Sequence, residues 1–179
     1  MFEDLYFQDK YAEAHELAHR LASEGDMKST RFLGWMYSRG HGCSQDENKA
    51  MRFFQEAAER GDAETLYGIA SIYYSKQDYE NALRYLTLSM DAGFVPAIRW
   101  SGMLYHLGLG VKKDPKRAYE LYHRAAQAGN LSAYHQKALM LLHGFRGIQG
   151  RLASIPMLIK FFACATLVAY RDKNSQRLM

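Results

Sequence analysis

Cysteine is scarce in this sequence, since Cys43 and Cys164 are the only two among 179 residues. Two cysteines cannot form a disulfide framework, so a small extracellular domain held together by disulfides is excluded. The first ten residues are acidic and lack the basic start and apolar stretch of a secretory signal. The sequence therefore predicts a cytoplasmic protein whose two thiols lie in the apolar interior.

Signatures of catalysis, cofactors and nucleic-acid binding are also scarce. His106, His135 and His143 have no serine or cysteine nucleophile at a readable spacing. The residues GLG at 108–110 follow a helix rather than a strand, and the third glycine of a dinucleotide fingerprint is missing. The basic residues are not interleaved with aromatic ones, as a stacking platform for nucleic acid requires. We predict no enzyme activity, no cofactor and no nucleic-acid partner.

The sequence does contain an internal repeat. Gly25, Gly61, Gly93 and Gly129 each follow an apparent helix, with spacings of 36, 32 and 36 residues. Glycine tolerates the left-handed conformation that often ends a helix. A period of this size is typical of solenoids, in which one helical unit is stacked several times. The repeat favours a function carried by an extended surface rather than by a catalytic centre.

Residues at fixed distances from each glycine support this register. Nine positions on, the residues are small, and twelve positions on, they are large: Gly34, Ala70, Gly102 and Ala138, then Tyr37, Tyr73, Tyr105 and Leu141. Small residues let two helices approach closely, so both sets are predicted to pack. Asp46, Asp78 and Asp114 each lie four residues before an alanine, and they are predicted to be the N-caps of the second helices.

Two segments of the chain resemble a known repeat. The residues LGWMY at 33–37, GHG at 40–42 and EAAERG at 56–61 are similar to a Sel1-like repeat, a relative of the tetratricopeptide repeat. Residues 101–129 match the same pattern, whereas QDYENA at 77–82 resembles a plain tetratricopeptide repeat. The resemblance implies an all-α fold, a right-handed α-solenoid of stacked antiparallel helix pairs.

We predict one repeat domain over residues 1–179. It consists of a partial capping unit at 1–25, repeats at 26–61, 62–93 and 94–129, and a divergent repeat with a hydrophobic capping helix at 130–179. In the capping unit, residues 11–25 look like a second helix, and its first-helix partner is only hinted at by residues 2–8.

The resemblance also implies an adaptor or scaffold function without catalysis, in which the first helices line a concave groove. The residues carried over to that groove are Lys28, Arg31, Trp35, Arg39, Tyr67, Tyr74, Arg99, Met103 and His106. Because several of them are basic, the predicted partner is a protein or peptide with an acidic segment. The alternative for Trp35 and Tyr67 is that they simply complete the core.

A competing enzyme interpretation rests on HELAH at 15–19, the arrangement in which two histidines bind zinc and the glutamate acts as general base. In the repeat register, however, His15 takes the place of large residues and His19 that of polar ones. No third ligand stands out downstream. We therefore predict no metal site, and a zinc metallopeptidase is kept as a distant alternative.

The last helix is unusually apolar, with Lys160 as the only charge between Ile155 and Tyr170. Sixteen helical residues reach only about 24 Å, short of the hydrocarbon core of a bilayer. The predicted role is therefore to cap the solenoid, or to form an interface through Phe161, Phe162, Leu167 and Val168. That interface serves either a homodimer or peripheral contact with an anionic membrane, as in a membrane-proximal assembly or immunity subunit.

Overall fold

The computed structural model describes residues 1–58 and 62–175, with side chains as far as Thr166. Within these ranges the regular secondary structure consists of α-helices alone. This confirms the predicted all-α solenoid of stacked helix pairs. The helices are α1 Phe2–Phe7, α2 Tyr11–Ser23, α3 Met27–Arg39, α4 Glu47–Ala58, α5 Ala63–Ser75, α6 Tyr79–Asp91, α7 Val95–Leu107, α8 Pro115–Gln127, α9 Leu131–Leu142 and α10 Gly147–Ser175.

The glycines that define the repeat end helices, as predicted. Gly25, Gly93 and Gly129 have φ angles of +90°, +89° and +86°, in the left-handed region. A residue with a Cβ is strained in this conformation, which explains why glycine recurs at these positions. The fourth marker, Gly61, lies outside the described residues.

Aspartate side chains begin several of the helices. Asp46, Asp78 and Asp114 accept hydrogen bonds from the backbone N–H three residues on, at 2.9, 3.2 and 2.9 Å, so the predicted N-caps are confirmed. Asp26 and Asp62, each directly after a marker position, cap α3 and α5 in the same way at 3.0 Å. Each cap satisfies a backbone donor that the first turn of a helix leaves unpaired.

The small residues predicted to allow close helix approach are buried. Gly34, Ala70, Gly102 and Ala138 all lie in the interior. A Cβ atom on Gly102 would lie 3.0 Å from the Tyr122 ring, which is tighter than ordinary van der Waals contact. The register derived from the glycine spacing is therefore confirmed at the level of packing.

The contacts divide the chain into two compact units. The first consists of Met1–Ala97 and Gly108–Lys112. Within it the short helix α1 packs against α2, and Phe2 is buried with its ring centroid 4.7 Å from that of Phe32. The first-helix partner that residues 2–8 only hinted at is therefore present as a helix of six residues.

Phe54 occupies the centre of the first unit. Its side chain is fully buried, and its ring fits against α3 and α5 at two glycines. A Cβ atom on Gly34 or on Gly68 would approach this ring to 2.6 Å. The two glycines thus create the space for one large aromatic side chain in an otherwise close-packed core.

The loops after α3 and α7 contain a second kind of close approach. Gly42 and Gly110 have φ angles of +73° and +66°. A Cβ atom on Gly42 would overlap the backbone carbonyl of Tyr11, and one on Gly110 would overlap the backbone of Tyr79 and Glu80. In both loops the glycine backbone therefore packs directly on the start of the second helix of an earlier repeat, which is α2 for Gly42 and α6 for Gly110.

The second unit consists of Ile98–Leu107 and Lys113–Met179. Its longest element is α10, which packs against α9 and has 29 residues, about 43 Å of helix. The helix is therefore longer than the sixteen residues predicted from the apolar stretch of the sequence, and that prediction is wrong. Pro156 lies inside the helix, which begins at Gly147.

Candidate functional site

The residues predicted to line a concave groove are distributed over both units. Six of them lie in the first unit, on α3 and α5, two helices that contact each other directly. The other three, Arg99, Met103 and His106, lie on the part of α7 that belongs to the second unit.

Trp35 is half-buried on α3 and contacts both the core and the surface. Its ring centroid lies 5.2 Å from that of Phe54 in an edge-to-face arrangement, and 5.9 Å from that of Tyr67. The guanidinium of Arg39 lies 4.6 Å above the ring. Tyr67 in turn lies 5.2 Å from Phe94. One side of Trp35 therefore completes the core, while the cation covers another side at the surface.

Two of the predicted groove cations are already paired within the chain. Arg31 is mostly buried, and it donates to Asp62 at 2.8 Å and to Glu64 at 3.0 Å. Lys28 pairs with Glu3 at 2.7 Å. The expectation of a locally basic surface does not hold at these two positions, because carboxylates of neighbouring helices neutralise them.

Asp62 shows how firmly this ion pair is held. Burial alone would raise its pKa, but hydrogen bonds from Thr65 and Arg31 outweigh burial, and the net pKa is lowered. Asp26 also has a lowered pKa, chiefly because Ser29 donates a hydrogen bond to it. Both carboxylates are therefore ionised at neutral pH, and both hold the first turn of a helix.

The HELAH histidines lie where the repeat register places them. His15 is half-buried, with its ring 5.3 Å from that of Tyr37, and His19 is exposed. Burial lowers the pKa of His15, and its Nε2 atom has no hydrogen-bond partner among the described residues. Among all the residues that the structure describes, no group of three His, Cys, Asp or Glu side chains could hold a metal ion.

Neither cysteine forms a disulfide, and both are half-buried. Cys43 packs against the core of the first unit, as predicted. Burial raises the pKa of its thiol, so the sulfur is protonated at neutral pH and is a poor nucleophile.

The second unit contains a cavity of about 470 Å³ that no sequence pattern indicates. Its lining residues are His106, Lys113, Pro115, Gln136, Leu139, Met140, His143, Gly144 and Phe145. The resemblance predicts that His106 lies on a binding surface, but nothing in the sequence connects it with His143, 37 residues later. We refer to this cavity as the histidine pocket.

The exposed face of α10 is apolar. Ile148, Leu152, Ile155, Ile159 and Phe162 are 75%, 64%, 53%, 66% and 59% exposed. They recur at alternating intervals of four and three residues, so they form one stripe along the helix, which we call the α10 stripe. The opposite face carries the buried Gly150 and Ser154 and packs on the rest of the unit.

The four residues predicted to form a C-terminal interface have different positions. Phe162 belongs to the α10 stripe. Phe161 does not, because it is half-buried and stacks on His135 with 4.3 Å between ring centroids. The side chains of Leu167 and Val168 lie outside the described residues. The stripe on the first half of α10 was missed because the sequence is apolar on both faces of this helix.

The segment Gly147–Thr166 of α10 is long and apolar enough to cross a membrane, judged by length and composition alone. Its mean hydropathy is 1.2, and 11% of the segment is buried. The prediction that the apolar helix is too short to span a bilayer is therefore wrong, because α10 extends beyond the sixteen residues on which that prediction was based.

Stacked helix pairs with glycine ends and aspartate caps define a helical repeat protein. The sequence model of the Sel1 repeat matches residues 28–62, 64–94 and 95–130, more than half of the chain. The chain therefore belongs to the Sel1 repeat family, whose members are typically protein-interaction modules. The three matches end one residue after the predicted repeat ends at positions 61, 93 and 129.

Several proteins with the same repeats are similar in sequence. A sel1-like repeat-containing protein of Acanthamoeba polyphaga mimivirus is 30% identical over 80 residues, 45% of this chain and 15% of that protein. The chitin synthase regulator SKT5 of Saccharomyces cerevisiae is 27% identical over 133 residues, 70% of this chain and 19% of that protein. The chain thus spans less than a quarter of the length of these relatives.

Solved structures share the fold. A Sel1 repeat protein from Oxalobacter formigenes has a TM-score of 0.70 at 21% identity, covering 89% of this chain and 68% of that one. The protective antigen c5321 of uropathogenic Escherichia coli has a TM-score of 0.72 at 24% identity, covering 86% and 34%. These similarities establish the architecture.

Proposed function

We propose that this chain is a non-enzymatic adaptor that holds an acidic segment of a protein partner against α3 and α5 of its first unit. The observation that carries the proposal is the pairing of Trp35 with Arg39, in which a half-buried aromatic ring lies under an exposed guanidinium at 4.6 Å. Tryptophan and arginine are the residue types that contribute most at the centre of interfaces.

Arg39 is the cation best placed to meet a partner carboxylate on this surface. Arg31 and Lys28 are neutralised by Asp62, Glu64 and Glu3, whereas Arg39 makes no ion pair among the described residues. Stacking on Trp35 fixes the orientation of its guanidinium, so less rotamer freedom is lost when a carboxylate binds.

We expect Arg39→Glu to weaken binding of acidic peptides about tenfold or more, because it replaces attraction by repulsion. The measurement uses a phage-displayed library of random peptides selected on the immobilised chain, followed by titration of the enriched peptides. Arg84→Glu is the matched control, since Arg84 lies 5.4 Å over Tyr85 on α6, a second helix. Enriched peptides without Asp or Glu, or equal binding by the Arg39 variant, would contradict the proposal.

We propose self-association as a second function, based on the α10 stripe. Its spacing of four and three residues averages 3.5, the period at which one helix packs along another in a coiled coil. The five side chains expose on the order of 500–600 Å², against roughly 800 Å² per partner in a typical stable interface. A second copy of the chain presents the same stripe, so a two-fold pairing is self-complementary.

Introducing two charges into the α10 stripe should make the chain monomeric. We expect the parent chain to dimerise with rising concentration in sedimentation velocity, and Leu152→Glu with Ile159→Glu to abolish the dimer, because buried unpaired carboxylates are costly. The control variant carries Ala153→Glu and Lys160→Glu. Each of these residues is exposed, lies outside the stripe and follows by one position a residue changed in the test variant. A parent chain that stays monomeric yet floats with anionic liposomes would replace self-association by peripheral membrane binding.

A further inference from the structure

The histidine pocket combines an apolar lining with polar groups that form hydrogen bonds. Pro115, Leu139, Met140 and Phe145 supply the apolar surface, while His106, Lys113, Gln136 and His143 supply the polar groups. Its volume of about 470 Å³ falls within the range of sites for small ligands or single side chains. A cavity of this kind suits a molecule with an apolar body and one polar end.

The two imidazoles in the pocket have different hydrogen-bond environments. The Nδ1 atom of His143 lies 2.8 Å from the carbonyl oxygen of Leu139, so this nitrogen donates and Nε2 is left for another partner. The Nδ1 atom of His106 is buried and has no hydrogen-bond partner among the described residues. Leaving a buried polar atom without a partner is costly, so a group that supplies this hydrogen bond on binding is favoured.

Two basic neighbours affect the protonation of His106. Lys113 and His143 act on it from the loop before α8 and from the end of α9, and both disfavour its protonation. Burial lowers the pKa of His106 most, followed by these two neighbours. Tyr122 on α8, with its ring 6.4 Å away, is neutral because burial raises its pKa to about 12. No carboxylate belongs to the nine residues that line the pocket.

We propose that the histidine pocket binds a carboxylate attached to an apolar group, with the carboxylate held by His106, Lys113 and His143. The apolar group then lies against Leu139, Met140 and Phe145. Two sources offer this chemistry: the C-terminal residue of a polypeptide, or a small free carboxylic acid. In the first case the proposal rests on the adaptor function and assigns a partner chemistry to it, and in the second case it is independent of that function.

Binding of an anion favours the protonated imidazoles, and the affinity therefore depends on pH. A bound carboxylate raises the pKa of His106, so proton uptake accompanies binding. Affinity is highest below the pKa of the free His106 imidazole, which burial lowers, and it falls as the pH rises from that value to the raised pKa of the complex. The carboxylate itself is ionised throughout this range.

The test follows the histidine ring protons of the full chain by NMR while three probes are titrated at several pH values. The probes are N-acetyl-leucine, its uncharged amide, and hexanoate. We expect the acids to shift the His106 and His143 signals, the amide to bind at least tenfold more weakly, and the affinity of the acids to fall at least tenfold between about pH 5.5 and pH 8.

Two variants keep this test independent of folding. His106→Phe retains a ring of similar shape, and Lys113→Gln alters an exposed side chain, so at least the second should fold. Both should weaken binding of N-acetyl-leucine at least tenfold, while Lys112→Gln, outside the lining, should not. Arg39→Glu should also leave the pocket unaffected, which separates a failure here from a failure of the adaptor proposal.

The relative affinities of the probes distinguish the two sources of the carboxylate. Stronger binding of N-acetyl-leucine than of hexanoate assigns the carboxylate to a polypeptide terminus, and the reverse order assigns it to a free acid. Equal affinity for the acid and the amide, or absence of histidine shifts at millimolar acid and pH 5.5, overturns the proposal.

Discussion

Replacing Phe54 with alanine is expected to lower the free energy of unfolding by about 3–5 kcal/mol, the typical effect of emptying a buried aromatic site. The side chain is fully buried, and its ring packs on the backbones of α3 and α5 at Gly34 and Gly68. These helices cannot close the resulting cavity without moving as rigid elements, because no side chain at either glycine can fill it.

Urea denaturation followed by circular dichroism measures this effect. Phe7→Ala is the matched control, since the same atoms are removed from a ring that is 83% exposed, and its effect should stay within about 0.5 kcal/mol. The Phe54 variant should also disturb the emission of Trp35, because the two rings are in edge-to-face contact at 5.2 Å. Equal midpoints for the two variants would contradict the central role given to Phe54.

Replacing Gly110 with alanine should cost about 2–4 kcal/mol, from two additive causes. The residue has a φ angle of +66°, at which a Cβ is strained. In addition, that Cβ would lie 2.6 Å from the backbone nitrogen of Glu80, an atom that cannot move without shifting α6. A loop substitution of one methyl group should therefore act as strongly as a change in the core.

Gly93→Ala isolates the first cause, the conformational strain. Gly93 has a φ angle of +89°, but a Cβ built there would have no neighbour within 4 Å. Its replacement should cost only the conformational strain, about 1–2 kcal/mol. Thermal denaturation of both variants gives the difference directly. If Gly93→Ala were as destabilising as Gly110→Ala, the contact between the loop and the start of α6 would contribute nothing to stability.

Local and periodic features of the fold could be predicted from the sequence. The glycine ends, the caps at Asp46, Asp78 and Asp114, and the buried small residues depend on neighbours a few positions away or one repeat away. The repeat register therefore specifies them directly. The division into one domain from 1–179 is not tested by these local contacts, and it stays a prediction.

Features that depend on contacts between residues far apart in the sequence could not be predicted. Arg31 looked like a free groove cation, because its partners Asp62 and Glu64 come from the next repeat. The α10 stripe was hidden, because a helix that is apolar on two faces shows no single periodicity. The histidine pocket was missed because His106 and His143 lie far apart in the sequence.

The contacts of Gly42 and Gly110 have an evolutionary consequence. In both loops a glycine without a side chain meets the main chain of an earlier helix, at Tyr11 in one case and at Tyr79 and Glu80 in the other. A junction made from main-chain atoms does not depend on which side chains the two segments carry. Substitution of the side chains at Tyr11, Tyr79 or Glu80 should therefore leave these junctions intact, so those three positions are free to vary while the loop glycines are not.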